Sequence, residues 1–195
     1  VEMIKQEAGQ EAGGPRCDVF WNNELLGTLD LLDHDLLEPY LGSGWRRMPM
    51  AMKDPHGCWT GFAARLRVWI VNTRKHEATL EAIAKTMAGP SLSMVTMAKP
   101  LYGTTRTHYT VQWSLWGADR LKQWHKEVRA RGLVEAQSNG QTKNLVAGGH
   151  AAIGWTDTDD YFLALDAGSP VAMVAAEVES GHTICIPNTV AIIKG

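Results

Sequence analysis

Four short polar segments of this sequence each follow a predicted strand and hold residue types suited to binding a small ligand. They are residues 21–24 (Trp-Asn-Asn-Glu), 103–108 (Gly-Thr-Thr-Arg-Thr-His), 138–140 (Ser-Asn-Gly) and 156–161 (Thr-Asp-Thr-Asp-Asp-Tyr). Ligands of α/β sheets bind beyond the carboxyl ends of the strands. The segments therefore indicate one binding site, although each also fits an ordinary helix cap or turn.

The segment 103–108 is typical of an anion site. Glycine and small hydroxyl residues at a helix start expose backbone N–H groups, which bind an anion or a carboxylate. Arg106 adds positive charge, and the amide of Asn139 can join the site. No Gly-Lys-Ser/Thr follows, so the segment is not a phosphate-binding P-loop.

The segment 156–161 places three carboxylates within four residues: Asp157, Asp159 and Asp160. Such crowding suits a hard cation or a ligand with donor groups. A helix fans its side chains, so at most two of the three can point the same way. We expect one aspartate to cap the helix and one or two to meet the ligand. The spacing does not fit an EF-hand.

Several function classes are disfavoured. The sequence has no Gly-x-Ser-x-Gly, no His-Glu-x-x-His and no dinucleotide fingerprint, and of its seven histidines only His108 lies in a candidate site. A net charge of -2 gives no case for nucleic acid or an anionic membrane surface. The three cysteines are too far apart for a CxxC metal site and are odd in number.

Alternating strands and helices must position these segments, which predicts an α/β fold with mostly parallel pairing. In the longest predicted strand, 62–72, Leu66, Val68 and Ile70 alternate with Arg65, Arg67 and Trp69, which places two arginines on one face. The other predicted strands are residues 18–21, 92–97, 134–136, 151–155, 171–174, 183–186 and 190–193. The predicted helices are residues 24–37, 79–87, 103–115, 118–131 and 157–167, and residues 139–148 are predicted to be loop and helix.

Five segments in order carry a family resemblance: residues 18–24, 59–65, 103–108, 156–160 and 186–190. With them the chain resembles the extracellular solute-binding proteins of ABC importers, in the ferric-iron-binding branch of family 1. The resemblance implies a bilobal, type II periplasmic-binding-protein fold that closes around its ligand. Residues 1–64 would form part of lobe one, 65–186 lobe two and 187–195 the return crossover. We expect the chain to be a fragment with lobe one incomplete.

The resemblance also implies a ligand site. The residues it assigns are Trp21, Asn22, Asn23, Glu24, Gly103, Thr104, Thr105, Thr107, His108, Asn139, Thr156, Asp157, Thr158 and Asp159. In the ferric binders, an anion that helps to hold iron sits on the matching helix start. Two adjacent tyrosines usually stand where this chain has Thr158 and Asp159. The predicted metal ligands are therefore Glu24, Asp157 and Asp159, and an organic solute is the alternative to iron.

The implied function is capture of a small solute for import, with no covalent chemistry and no required cofactor. Fe(III) with a synergistic anion is the expected cargo, and the membrane permease of an ABC importer is the expected partner. We expect a monomer that binds no nucleic acid, does not insert into the membrane through this segment, and is periplasmic or lipid-anchored outside the cytoplasm. The alternatives are a metal-dependent enzyme using Asp157, Asp159 and His108, and the ligand-sensing half of a transcription regulator.

Overall fold

A computed structural model describes residues 1–9, 14–179 and 181–195. The chain divides into two compact units, one formed by Val1–Ala64 with Ile186–Gly195 and the other by Arg65–Cys185. The elements in chain order are α1 (Glu2–Ala8), β1 (Val19–Asn22), α2 (Leu26–Asp33), β2 (Leu37–Glu38), α3 (Ser43–Arg47), a 3-10 turn (Met50–Met52), β3 (Thr60–Asn72), α4 (Leu80–Ala88), β4 (Val95–Ala98), α5 (Gly103–Trp116), α6 (Ala118–Ala130), β5 (Val134–Ala136), α7 (Asn139–Ala147), β6 (Ile153–Asp157), α8 (Thr158–Asp166), β7 (Val171–Ala175), β8 (Glu177–Glu179), β9 (His182–Thr183) and β10 (Cys185–Ile193). The predicted α/β class is confirmed.

The first unit is built on β10, with which β1 and β2 pair in antiparallel fashion. Apolar side chains from α1, α2 and these strands form its core. The buried members are Ile4, Leu31, Leu37, Trp59, Ala191 and Ile193. The strand predicted at 183–186 overlaps the end of β9 and the start of β10. The strand predicted at 190–193 is the end of the same long strand β10.

The helix predicted over residues 24–37 is shorter than the leucine spacing suggested. It runs over Leu26–Asp33 and ends because Asp35 adopts a left-handed backbone with φ 57°. Leu37 and Glu38 then pair with β10 as β2. Leu36 still packs against the core. The leucine spacing therefore predicted the burial of these residues correctly but predicted too long a helix.

The second unit contains a mixed sheet in the order β7-β3-β6-β4-β5. The strand β4 pairs in parallel with β5 and β6, whereas β3 pairs antiparallel with β6 and β7. All four residues of β4 are buried, as expected for an apolar strand within such a sheet. No described helix is long and apolar enough to cross a membrane.

Gly154 on β6 allows α7 to approach the sheet closely. A Cβ atom there would lie 2.6 Å from the Thr142 methyl group and 2.8 Å from the Thr96 carbonyl oxygen. Any larger residue would push α7 away from the sheet. The position of Asn139, the first residue of α7, therefore depends on this glycine.

Candidate functional site

Arg67 lies at the centre of a polar cluster in the second unit. Its side chain is 0% exposed. On the antiparallel ladder it stands directly opposite Asp157, the last residue of β6. Arg67 Nη1 donates to Asp157 Oδ1 at 2.6 Å, and the two form a buried ion pair.

The first turns of α5 join this ion pair through hydroxyl groups. Thr104 Oγ1 donates to Asp157 Oδ2 at 2.5 Å and accepts from Arg67 Nη1 at 3.3 Å. Thr105 Oγ1 lies 3.5 Å from Arg67 Nη2, which donates to it. Both threonines are buried, so their hydroxyl groups face the protein interior.

Asn139, at the start of α7, closes the network. Its amide nitrogen donates to Thr104 Oγ1 at 2.7 Å and to Asp157 Oδ2 at 3.0 Å. Its amide oxygen accepts from Thr105 Oγ1 at 2.7 Å. Side chains from the starts of α5 and α7 and from the residue before α8 are thus hydrogen-bonded to one another.

His108 completes this network as a buried, neutral imidazole. Its Nδ1 accepts from Arg67 Nε at 3.2 Å, so in this arrangement the ring proton is on Nε2. Burial, and then the charge of Arg67, hold the pKa of His108 well below its ordinary value. The ring stacks on Trp155 with centroids 4.3 Å apart. We call Arg67, Thr104, Thr105, His108, Asn139 and Asp157 the inner network.

A second group, which we call the outer group, is more accessible and consists of Arg65, Thr158 and Asp159. Arg65 Nη1 lies 2.9 Å from Asp159 Oδ2 and 3.8 Å from Asp157 Oδ2. The Asp159 side chain is 47% exposed. Thr158 Oγ1 accepts from the backbone N–H of Leu66 at 3.2 Å. Arg65 and Asp159 are thus partly exposed to solvent, whereas Arg67 and Asp157 are buried.

The three aspartates do come together, but in different roles. One carboxylate oxygen from each of Asp157, Asp159 and Asp160 lies within 4.8 Å of the others. Asp160 Oδ2 accepts from Thr156 Oγ1 at 2.6 Å, and burial raises the pKa of the Asp160 carboxyl. Asp157 occupies the N-cap position of α8 yet makes no side-chain capping bond, because its oxygens bind Arg67, Thr104 and Asn139. The expectation that one aspartate side chain caps the helix is wrong for Asp157.

The positive charge of two arginines bears directly on the predicted metal site. Arg67 neutralises Asp157 and Arg65 neutralises Asp159. A guanidinium group so close to each carboxylate repels a bare cation and occupies the oxygens that would bind it. The positive charges of Arg65 and Arg67 therefore balance the negative charges of Asp159 and Asp157, so these two carboxylates are not free to form an acidic cluster.

The segment 21–24 lies in the first unit. Trp21 is 69% exposed and packs on Phe62, with ring centroids 4.0 Å apart. Asn23 is exposed, and the amide of Asn22 donates to Glu24 Oε1 at 3.0 Å. Glu24 also accepts from the backbone N–H groups of Leu26 and Gly27 at 2.5 and 2.8 Å. The carboxylate predicted as a metal ligand thus caps α2.

By sequence, no family model and no curated protein matches this chain. Iron-bound HitA from Pseudomonas aeruginosa matches its structure with a TM-score of 0.82 at 16% identity, over 99% of this chain and 63% of that one. AfuA from Actinobacillus pleuropneumoniae, a periplasmic binding protein with fructose-6-phosphate bound, matches with 0.78 at 18%, over 100% and 61%. The apo ferric ion-binding protein A of Pasteurella haemolytica matches with 0.78 at 15%, over 100% and 63%. The chain has the type II periplasmic binding protein fold.

The chain therefore spans slightly less than two thirds of the length of these binding proteins. The resemblance in fold inferred from five sequence segments is confirmed. Within this fold, the second unit brings together the segments 103–108, 138–140 and 156–161. Thr107 stays on the helix itself, where its hydroxyl lies 3.5 Å from the Gly103 carbonyl oxygen.

Sequence reasoning missed Arg65 and Arg67 as site residues. A signal was available, because two arginines at alternate positions interrupt a strand that is otherwise largely apolar. A charge in a buried strand requires a partner, since an isolated buried charge is very costly. The partner, Asp157, is 90 residues away in sequence, and only the pairing of β3 with β6 identifies it.

Proposed function

We propose that this chain is part of the substrate-binding component of an ABC importer, which captures a small solute. The observation that carries the proposal is the meeting of the starts of α5, α7 and α8 around the inner network, in a chain with a binding-protein fold. Helix starts carry partial positive charge and present backbone N–H groups. The site is thus built to hold a ligand rather than to transform one.

The charges favour a ligand that carries an anionic group. The N-cap residues of α5 and α8, Tyr102 and Asp157, make no side-chain capping bond, whereas Ser138 caps α7. Arg65 adds a guanidinium group beside these helix starts, and guanidinium groups bind carboxylates and phosphates in bidentate fashion. We propose that the cargo is either Fe(III) held together with its anion or an anionic organic solute.

Iron in this protein would have to be coordinated without a pair of adjacent tyrosines. Threonine and aspartate occupy positions 158 and 159. Tyr109 is hydrogen-bonded to His125 at 2.9 Å, and burial raises the pKa of its phenol well above the ordinary value. A phenolate at Tyr109 is therefore disfavoured. Because Asp157 and Asp159 are paired with arginines, the expected oxygen ligands are the bound anion and water, joined by the exposed Asp159 only if it exchanges Arg65 for iron.

The proposal includes a membrane permease as partner, a location outside the cytoplasm, a monomeric state and no resident cofactor. An enzymatic role for His108 or Asp157 finds no support in the geometry. The His108 imidazole is fully buried, and both oxygens of Asp157 are engaged. Neither side chain offers an accessible acid, base or nucleophile.

Calorimetric titration of the full-length protein tests the proposal. The probes are Fe(III) citrate, inorganic phosphate and fructose 6-phosphate, with absorbance recorded in parallel. We expect at least one probe to bind, and Fe(III) to bind without the intense visible band of tyrosinate-bound iron. Arg65→Gln should weaken binding of the anionic probe, while Lys126→Gln, a charge removal on α6, should not.

Two results would count against the proposal. Failure of all three probes to bind would remove the support for an anion-bearing cargo. An intense tyrosinate band would show that a phenolate coordinates iron, which contradicts coordination without a phenolate.

A further inference from the structure

We propose that Arg67 is a positioning residue, which fixes the starts of α5, α7 and α8 without touching the ligand. This inference rests on the proposed function, because it concerns the same site. The guanidinium group bonds to Asp157, Thr104, Thr105 and His108, and through Thr104 and Thr105 it is linked to Asn139. One buried side chain thus connects three helix starts that are distant in sequence.

Burial separates Arg67 from any ligand. Its side chain is 0% exposed, and the side chains of Thr104, His108 and Asp157 around it are buried as well. Arg65, two residues earlier on β3, is 17% exposed and pairs with the accessible Asp159. A solute that enters from solvent would therefore meet the outer group and the helix starts, while Arg67 acts through the residues it holds.

The fork of the guanidinium group explains why this position needs arginine. Nε, Nη1 and Nη2 donate in three directions, to His108, to Asp157 with Thr104, and to Thr105. A lysine ammonium group is a single point charge on a flexible stem and cannot serve three such directions at once. Arg67→Lys would keep the charge but release part of the contacts that orient α5.

Stability alone does not explain the ion pair. A buried salt bridge can often be replaced by apolar residues of similar volume with no loss of stability. The paired replacement Arg67→Met with Asp157→Leu therefore separates folding from positioning. If Arg67 acts only through stability, the double variant should both fold and bind the ligand. If Arg67 positions the helix starts, the double variant should fold but bind the ligand weakly.

The experiment compares the full-length protein with this double variant, with Arg67→Lys and with the control Arg131→Lys. Arg131 is a matched arginine of the second unit, whose guanidinium group bonds the backbone carbonyls of Met87 and Gly89 at 2.6 and 2.9 Å. Each protein is assayed for its melting temperature, for binding of Fe(III) citrate and fructose 6-phosphate, and for amide hydrogen exchange over residues 107–109 and 142–144.

We expect the double variant to melt above the single variant Asp157→Asn, because it leaves no buried charge unpaired, to bind the probe at least about tenfold more weakly than the wild type, and to exchange these amides faster, since their helix starts are no longer fixed. Arg67→Lys should show a weaker form of the same changes. Arg131→Lys should leave binding and exchange at these amides as in the wild type.

Binding and exchange within about twofold of the wild type in the double variant would overturn the positioning role. Where the double variant does not fold, unchanged binding and exchange in Arg67→Lys would overturn it equally. A wild type that binds none of Fe(III) citrate, fructose 6-phosphate and inorganic phosphate would count against the proposed function instead, and the exchange data would then decide the role of Arg67 alone.

Discussion

Replacing Asp157 by asparagine tests the central ion pair most directly. The substitution preserves the shape of the side chain but removes the charge opposite Arg67, which is fully buried. The carboxylate accepts from Arg67, Thr104 and Asn139 at 2.6, 2.5 and 3.0 Å. An asparagine amide can accept at only one of its two ends, so at least one donor would face another donor.

The expected loss of stability follows from these contacts. Breaking a buried ion pair by removing one partner costs about 3–5 kcal/mol, because it leaves an uncompensated buried charge. For a chain of this length, each kcal/mol lowers the melting temperature by about 2–4 °C, so a fall of about 6–20 °C is expected. Urea unfolding followed by tryptophan fluorescence reports the change, since Trp155 stacks on His108 beside the pair.

Asp159→Asn is the matched control, two residues along the same segment. Asp159 is 47% exposed and pairs with Arg65 near solvent. Pairs of this kind contribute about 0–1 kcal/mol, so its unfolding midpoint should barely move. Equal losses in the two variants, or a loss below about 1 kcal/mol for Asp157→Asn, would refute the assignment of Asp157 and Arg67 as a tightly coupled buried pair.

Three further predictions concern single side chains. Thr104→Val should clearly lower the unfolding midpoint, because the Thr104 hydroxyl bonds Asp157, Arg67 and Asn139. The control is Thr110→Val on the same helix, whose hydroxyl makes one bond to a backbone carbonyl and whose loss should matter little. Equal midpoints in the two variants would contradict this prediction. Burial raises the pKa of the Asp160 carboxyl, so the contribution of this one group to stability falls as pH rises through its folded pKa. Relative to the wild type, Asp160→Asn should therefore gain stability between about pH 3 and about pH 7, measured by urea midpoints; a difference from the wild type that does not change with pH would contradict this. The pKa of the buried His108 is well below 6.5, so below pH 6.5 this residue takes up a proton in the unfolded chain but not in the folded one. Its contribution should therefore lower stability by about 1.4 kcal/mol for each pH unit of acidification. His108→Asn should flatten this acid slope, and an unchanged slope would assign the slope to other groups.

The sequence predicted the elements of the second unit well, because their apolar periodicity is strong and their turns carry glycine. It placed the segments 103–108 and 156–161 directly after strands, where the structure has the starts of α5 and α8. In the first unit it extended α2 too far and missed α3 and β2. The short strand β2 exists only through its pairing with β10, which is remote in sequence and leaves no local signal.

The direction of each site side chain could not be read from the sequence. Thr104, Thr105 and His108 look like ligand contacts when only their position at a helix start is known. In the structure they point inward, because Arg67 and Asp157 face each other across β3 and β6 and require hydrogen-bond partners. That register is a property of the sheet as a whole. Asp157 is buried at the end of β6, whereas Asp159, two residues later, lies in the first turn of α8 and is exposed.

The inner network restricts how this protein can change over evolutionary time. Because its side chains bond to one another, a substitution at one position removes a partner from a buried group, and acceptable changes must come in pairs. The outer group carries no such restriction, since Thr158 and Asp159 are partly or largely open to solvent. We therefore expect homologous sequences to vary Arg67 and Asp157 together and to vary positions 158 and 159 freely. Such a division would let ligand preference diverge while the scaffold beneath it stays constant.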